Sequence, residues 1–243
     1  MWSVALGRRY RRLNRVHPER KRYGVSEMRP HFYYEDIEMS LFLDAATAWN
    51  SLLNTSYRIT IGHKNKMSVI RLVFRPGDFD HLSGIHYSSD VDYGLHRREY
   101  RGDRLLPALL SGKLDALLIE KSQNWSKIAG RLQAITDLST ILNTDFLIYK
   151  FTPNRLPFHS EIKATYCIYN AAQNKGVFLF ADQADQVVYC KSIFPESDQD
   201  YRANQTRWTV LKKERITQDA VEVLFTHPSF HSSQNEQSNL ISV

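Results

Sequence analysis

Apolar residues recur at intervals of three and four positions in two parts of the chain, which is the spacing of one helix face. In the first part the residues on this spacing are Ile37, Leu41, Ala45, Ala48, Trp49 and Leu52. The second part runs from about Leu114 to Leu142, and a polar break near Asn124 predicts that it forms two helices. The stripe of the later helix consists of Ile128, Leu132, Ile135, Leu138 and Leu142.

Shorter runs rich in β-branched and aromatic residues predict strands. Two of them, 57–61 and 68–74, are separated by the polar connector 62–65, which predicts a hairpin. Five more runs follow the helical block and are separated by turns that contain Pro, Asn, Gly or Asp: 146–151, 162–169, 177–180, 187–194 and 208–211. The pattern predicts an α+β fold in which the later strands form an antiparallel sheet backed by the preceding helices.

Three segments of the chain differ in composition. Residues 1–34 lack a sustained apolar period, 35–216 carry the predicted helices and strands, and the chain beyond Phe225 is rich in Ser, Asn, Gln and His. We therefore interpret 1–34 as a basic, flexible arm, 35–216 as one α+β domain, and 217–243 as a polar C-terminal tail.

The net charge of +6 is concentrated at the N-terminus. Residues 1–30 hold nine Lys or Arg and two Glu, whereas the remaining 213 residues carry 23 bases and 24 acids. Clustered arginines release counterions from phosphates, so the arm is a candidate for RNA binding and the domain is nearly neutral. The alternative is a disordered leader, or an upstream translation, since Met28 and Met39 are internal alternative starts.

The sequence also excludes several classes of protein. No apolar run approaches the roughly 18–20 residues that a membrane span needs, and the N-terminal arginines are not followed by the apolar segment of a secretory signal. A phosphate-binding Gly loop, a dinucleotide fingerprint, a nucleophile elbow and a paired-Cys zinc site are absent, so we expect no cofactor. Cys167 and Cys190, the two cysteines, are interpreted as free buried thiols of a cytoplasmic protein, with a disulfide as the alternative.

The segment 79–86 follows a strand-breaking Pro-Gly pair and carries His81 and His86. A histidine at a turn between a strand and a loop is a candidate for proton transfer near neutral pH. Two alternatives remain: a histidine that only hydrogen-bonds the backbone at a tight turn, and a metal site shared with nearby aspartates. The five-residue spacing places the histidines on no common helical face, which argues against the metal site.

Other candidate groups lie on the later helix and on the predicted sheet. Arg131 projects beside the apolar stripe, where a guanidinium needs an anion, either a sheet carboxylate or a substrate phosphate. Lys163 and Tyr166 lie in one predicted strand and Ser192 in another. Such side chains on an open sheet face are those that a metal-independent ribonuclease uses, and a solvated sheet face is the alternative.

A series of short motifs in a fixed order resembles a known nuclease family. In chain order they are Ala45-Ala46, Leu52-Leu53, Tyr57, Leu72-Val73-Phe74, Phe79-Asp80-His81-Leu82-Ser83-Gly84-Ile85-His86, Lys121-Ser122, Ile128, Arg131-Leu132, Ile162-Lys163-Ala164-Thr165-Tyr166, Phe178-Leu179-Phe180, Cys190-Lys191-Ser192-Ile193-Phe194 and Tyr201. Over about residues 36–216 the chain resembles the phage-associated nuclease-like domains grouped with barnase, EndoU, colicin-type ribonucleases and RelE, nearest to the fourth phage subgroup. The resemblance implies N-terminal helices on a four- or five-stranded antiparallel sheet, and metal-independent cleavage of RNA.

The leading hypothesis is a metal-independent endoribonuclease of phage or toxin type, in which attack by the ribose 2′-hydroxyl leaves a 2′,3′-cyclic phosphate. The candidate catalytic residues are His81, His86, Arg131, Lys163, Tyr166 and Ser192. The residues expected to bind RNA are Arg8, Arg9, Arg11, Arg12, Arg97, Arg98, Arg101 and Lys191. The expected partners are RNA and either an antitoxin or immunity protein or the ribosome, without a membrane.

Two alternatives stay open beside the nuclease. The first is a non-catalytic module on the same fold that binds RNA or a protein through the arm and the sheet. The second is a metal-dependent hydrolase built from Asp78, Asp80, His81, His86 and Asp90. Convergence of His81, Arg131, Lys163 and Ser192 in one cleft would favour the enzyme over the binding module.

Overall fold

The computed structural model describes residues 40–92, 97–171 and 175–230. The arm 1–34, with Arg8, Arg9, Arg11 and Arg12, lies outside these residues, as do the side chains of Arg97 and Arg98. Within the described ranges the chain forms six α-helices: α1 (Leu41–Leu52), α2 (Asp78–Ser83), α3 (Leu105–Leu110), α4 (Ala116–Glu120), α5 (Trp125–Thr136) and α6 (Leu138–Asn143). No helix in this part of the chain is long and apolar enough to cross a membrane.

The same ranges contain eight β-strands in one sheet. They are β1 (Ser56–His63), β2 (Lys66–Val73), β3 (Leu147–Lys150), β4 (Tyr166–Asn170), β5 (Val177–Ala184), β6 (Val187–Pro195), β7 (Thr206–Ile216) and β8 (Val221–Thr226). The strand order is β1-β2-β6-β5-β4-β3-β7-β8, and β1 also pairs with β7. The first seven strands of this order therefore form a closed ring, which we call the closed sheet.

The fold predicted from sequence, helices on an antiparallel sheet of four to five strands, is wrong. The closed sheet is mixed, because β2 runs parallel to β6, and it has seven strands because it includes the β1–β2 hairpin. The reason is the length of β7: its residues 206–208 pair with β3, and its residues 209–216 pair with β1. A strand that contacts both neighbours in this way brings the N-terminal hairpin round to close the sheet.

Local turn chemistry explains the hairpin of β1 and β2, which the sequence predicted. His63 pairs with Lys66, so that only Lys64 and Asn65 connect the strands. Both connecting residues have positive φ, 45° and 62°. Two-residue turns of this kind match the right-handed twist of the strands they join, and asparagine tolerates the conformation well.

One face of the closed sheet shares its apolar core with the helices. Alternate residues of β1 and β2 point into it and are almost fully buried: Tyr57, Ile59, Ile61, Ile70 and Leu72. Burial raises the pKa of the Tyr166 phenol in β4, and Ser68 of β2 acts on the same phenol to lower its pKa, so these strands face one another across the interior. Phe42 and Trp49 of α1 and Leu132 of α5 belong to the same cluster.

A second, smaller cluster lies on the other face of β3–β6. It consists of Tyr149, Phe151, Cys167, Tyr169, Phe178 and Phe180, with Phe194 and Tyr201 packed against it. Cys167 belongs to this cluster and Cys190 to the main core. Both thiols are free and buried, as the sequence predicted, and burial raises the pKa of each far above its usual value.

The middle of the chain is helical, as the periodicity predicted, but it forms three helices and not two. Asp115 caps α4 by accepting a hydrogen bond from the backbone N–H of Leu117. The apolar stripe of α5 is buried at Ile128, Leu132 and Ile135. Near the C-terminus, β8 pairs with β7, so part of the segment predicted as a polar tail takes part in the sheet.

Asn170 of β4 joins α6 to the sheet, and we predict that its replacement destabilises the fold. Its buried Nδ2 donates to Ile141 O at 3.2 Å, Thr144 Oγ1 at 3.0 Å and Asp145 O at 2.9 Å. Asn170→Ala leaves buried acceptors without a donor, which costs about 1–3 kcal/mol of unfolding free energy in urea titrations. Asn54→Ala, at an exposed turn, is the control, and an equal loss in both variants would contradict the role given to Asn170.

Glu214 lies at the seam between β1 and β7 and makes stability depend on pH. The residue is only 4% exposed, and its carboxylate accepts from Arg58 Nε at 2.6 Å and pairs with Lys212 Nζ at 2.8 Å. The hydrogen bond from Arg58, with that from Lys212, holds the pKa of Glu214 below its usual value. The folded state therefore binds fewer protons than the unfolded chain, whose Glu pKa is about 4.3, and stability is lost as pH falls below that value.

We predict that Glu214→Gln flattens this acid loss of stability. At pH 7 the variant should lose about 1–2 kcal/mol, because hydrogen bonds to charged groups are lost but Arg58 is partly exposed. Urea midpoints between pH 7 and about pH 3 measure both effects. Glu222→Gln removes an exposed carboxylate paired with Arg215, and its pH profile should stay close to that of the wild type.

Candidate active site

A helix end and a tight turn place the two histidines of segment 79–86 side by side. Helix α2 ends at Gly84, whose φ of +75° is left-handed, and the 3₁₀ turn Ile85–Tyr87 follows directly. Glycine adopts this conformation without strain. A Cβ at Gly84 would also lie 2.9 Å from Arg131 Cδ, so this position requires glycine for two independent reasons.

The rings of His81 and His86 are stacked, with centroids 5.6 Å apart and planes 13° from parallel. His86 in turn lies against Tyr87, at a centroid distance of 4.1 Å. The five-residue spacing argued against a common helical face, and the structure agrees, because the residues belong to different helical turns. It is the reversal at Gly84 that brings them together.

Arg131 reaches this turn from α5. Its Nη1 donates to Ser192 Oγ at 3.3 Å and to Ile193 O at 3.2 Å. The guanidinium carbon lies 5.6 Å from the ring centroid of Tyr87 and 5.5 Å from that of Phe194. Among the residues that the structure describes, Arg131 has no carboxylate partner. Of the two anions that the sequence left open for Arg131, a sheet carboxylate and a substrate phosphate, the described structure does not supply the first.

A β-bulge in β6 sets the direction of two further side chains, those of Lys191 and Ser192. Phe180 of β5 pairs with Ser192 and the next residue, Ala181, pairs with Cys190, so Lys191 is an extra residue in β6. Bulges change the direction of side chains and are frequent beside active sites. Ser192 is only 8% exposed and holds Arg131, while Lys191 Nζ lies 5.1 Å from the ring centroid of Tyr189.

The electrostatics of the turn favour neutral histidines. Partial desolvation lowers the pKa of His81, and the positive charges of Arg131 and Lys191 lower it further. Partial desolvation is also the largest cause that lowers the pKa of His86, and His81, Arg131 and Arg101 lower it further. Both imidazoles are therefore neutral at pH 7 and able to accept a proton. We call His81, His86, Tyr87, Arg101, Arg131, Lys191 and Ser192 the histidine cluster.

Four of the residues predicted from sequence, His81, His86, Arg131 and Ser192, are thus joined by ring and hydrogen-bond contacts. The charges of Lys191 and Arg101 act on the histidines, but Lys163 and Tyr166 are placed elsewhere. Lys163 is exposed in the irregular segment before β4, and no described contact joins it to the cluster. Tyr166 is 6% exposed inside the closed sheet, where burial raises its pKa and Lys150 Nζ lies 5.0 Å from its ring centroid. Tyr87 was not among the candidate catalytic residues, although its position directly after His86 pointed to the site.

The aspartates proposed for a metal site have other partners. Asp78 pairs with Arg75 at 2.7 Å, and Asp80 accepts from the backbone N–H of Gly102 at 2.9 Å. Asp90 accepts from the Ser122 hydroxyl at 2.7 Å. No group of three or more His, Cys, Asp or Glu residues within 40–92, 97–171 and 175–230 is arranged to hold a metal ion.

Comparison with known proteins adds a family to this geometry. Searches of curated proteins and of solved structures each found no match. The profile of one protein family matches residues 41–227, which include every residue of the histidine cluster. Since this match covers most of the chain, the protein belongs to the nuclease family described as phage-Barnase-EndoU-ColicinE5/D-RelE like nuclease4.

Proposed function

We propose that the protein is a metal-independent endoribonuclease, in which the ribose 2′-hydroxyl attacks the adjacent phosphate and leaves a 2′,3′-cyclic phosphate. The observation that carries the proposal is the stacked pair His81 and His86 beside Arg131, a cation with no carboxylate partner in the described part of the chain. The reaction needs a base, an acid and positive charge at the phosphate. The histidine cluster contains all three.

The two histidines divide the proton transfers between them. In the free enzyme their lowered pKa values leave both rings neutral at pH 7, so one ring accepts the proton of the 2′-hydroxyl. A phosphate bound beside Arg131 brings negative charge to the rings and favours protonation of the second. That ring donates its proton to the leaving 5′-oxygen. Activity at low substrate concentration should therefore be highest below pH 7, where part of the pair is already protonated.

Positive charge at the phosphate comes from arginine and lysine. The positive charges of Arg131 and Lys191 act on His81, and those of Arg131 and Arg101 act on His86, so a phosphate bound next to the pair is attracted by the same charges. They stabilise the charge that develops on the phosphorane oxygens. Ser192 acts through Arg131, by accepting a hydrogen bond from its guanidinium, and is a positioning residue.

Other residues expected from sequence either fall outside this mechanism or remain predicted contacts with RNA. Lys163 and Tyr166 have no part in the mechanism proposed from this cluster. Arg97 and Arg98 lie a few residues before Arg101 of the histidine cluster in the sequence. Together with the arm arginines Arg8, Arg9, Arg11 and Arg12, they are proposed to extend the contact with RNA. An antitoxin, an immunity protein or the ribosome stays a proposed partner.

We predict that the purified protein cleaves RNA in excess EDTA and that the products end in a 2′,3′-cyclic phosphate. His81→Ala or His86→Ala should lower kcat/KM by roughly 10²–10⁴-fold, the usual cost of losing a general acid or base. The urea midpoint of His81→Ala should hardly change, because His81 is exposed. Cleavage is followed with a labelled oligonucleotide, and the product ends are identified by mass spectrometry.

His159→Ala, at an exposed position in the segment after β3, is the matched control and should cleave like the wild type. Loss of cleavage in EDTA and its recovery with one divalent ion would replace this mechanism by a metal-dependent one. RNA binding without cleavage under all conditions would favour the non-catalytic binding module.

We predict that Arg131→Gln lowers kcat/KM by about 10²–10³-fold, as the loss of one transition-state donor does. It should also raise the pKa of His81 and His86, because a neighbouring positive charge is removed. The acid limb of the pH–rate profile then moves to higher pH. NMR titration of the imidazole protons measures the pKa values directly.

Arg131→Lys separates charge from geometry in this experiment. It keeps the positive charge, so the pKa values of the two histidines should stay low. It loses the planar, bidentate guanidinium, so kcat/KM should still fall in part. Arg71→Gln removes an exposed arginine of β2 and serves as the control. Unchanged histidine titration in Arg131→Gln would show that Arg131 does not act on the pair.

A further inference from the structure

A groove runs along β7, outside the histidine cluster. It consists of two concavities of about 370 and 550 Å³ that share Thr209 and His227 as walls. The first is lined by Phe146, Trp208, Lys213 and Phe225 among others, and the second by residues of the β1–β2 turn. These volumes are in the range of small-ligand sites. We call the two together the β7 groove.

The β7 groove and the histidine cluster lie on separate strands of the closed sheet. The cluster is built on β6, α5 and the turn after α2, whereas the groove is built on β7, the start of β3 and the β1–β2 turn. In the strand order at least two strands separate β6 from β7 in either direction. A ligand that fills the groove therefore leaves the histidine cluster open.

Aromatic rings form much of the groove. Trp208 lines the first concavity and His63 the second, and their ring centroids are 5.6 Å apart with planes 31° from parallel. Phe146 and Phe225 add two further rings to the first concavity. Flat aromatic surfaces of this kind stack on nucleobases, and they do so with little preference for sequence.

Positive charge surrounds these rings. The groove is lined by four basic residues, Lys64, Lys66, Arg207 and Lys213, and by one acidic residue, Asp145. Lys64, Lys66 and Arg207 are exposed at the rim. Lys213 is buried, with Nζ 2.6 Å from Thr144 O and 4.6 Å from the ring centroid of Phe146. The rim therefore suits a polyanion whose flat groups enter the concavities.

We infer that the β7 groove binds two consecutive unpaired nucleotides of the RNA, at a distance from the bond that is cut. One base stacks on Trp208, and Lys64, Lys66 and Arg207 contact the phosphates. The inference rests on the proposed function in taking RNA as the substrate. The groove is then a second binding site that favours RNA with a single-stranded stretch long enough to reach from β6 to β7.

Binding of a non-cleavable oligonucleotide tests the groove without relying on catalysis. The probe is a fluorescent single strand of about ten nucleotides with every ribose 2′-O-methylated, measured by anisotropy at several salt concentrations. Trp208→Ala should weaken binding by about tenfold or more, as loss of one stacked base does, and Trp208→Phe should restore most of it. The double variant Lys64→Gln, Lys66→Gln should also reduce the salt slope by about 1.4, or 0.7 per lost phosphate contact.

Trp208 also packs against the main core, so its alanine variant loses stability as well as a stacking surface. The lysine pair lies at an exposed turn and tests the groove without that cost. The matched control is Lys113→Gln, Lys121→Gln, which removes the same charge from exposed positions elsewhere. Equal weakening by both lysine pairs would show only a general effect of charge and would overturn the inference.

The outcomes separate this inference from the proposed function. A wild type that cleaves RNA, with probe binding unchanged in the tryptophan and lysine variants, overturns the groove and keeps the nuclease. Probe binding that depends on Trp208 and the turn lysines, without cleavage of any RNA, keeps the groove and overturns the nuclease. A probe that does not bind to the wild type overturns the groove as well.

Discussion

The pairing of β1 with β7 is the constraint on which the rest of the structure depends. Residues 209–216 of β7 pair with β1, while residues 206–208 pair with β3, so one strand connects the two ends of the sheet. This pairing encloses Ile59 and Ile61, which are fully buried. Without it, these side chains would lose their cover, and only the short parallel pairing of β2 with β6 would join the hairpin to the other strands. The closure also holds β6 and β7 apart, which separates the histidine cluster from the β7 groove.

Local features of the fold could be predicted because they depend on residues close in sequence. The stripe of α5 follows from helical periodicity, and the β1–β2 hairpin follows from apolar alternation on either side of a short polar turn. The partners of β7 could not be predicted in this way. Pairing between residues some 150 positions apart, as between β1 and β7, leaves no periodic trace in one sequence, since alternation shows only which side chains share a face. The prediction therefore found the seven strands of the closed sheet but missed its closure, and it missed β8.

The site shows the same division between local and distant information. His81 and His86 were identified by residue type, but their stacking depends on the left-handed conformation of Gly84. Tyr166 was expected at the site and instead lies in the core, because every residue of β4 is buried and alternation does not tell which face holds a site. The bulge at Lys191 results from pairing with β5, which sequence patterns do not show. Residue type thus identified candidate chemistry, and tertiary pairing decided which candidates meet.

The two buried thiols make it simpler to attach probes to this protein and to measure distances within it. Cys167 and Cys190 are the only cysteines of the chain, and burial keeps both in the protonated, unreactive form. Maleimide and spin-label reagents react with thiolates at accessible positions, so they do not label the two native cysteines of the folded protein. A single cysteine introduced at the exposed Lys113 or Lys121 can therefore carry a probe without removal of the native thiols. Distances between such probes could be followed while RNA is bound.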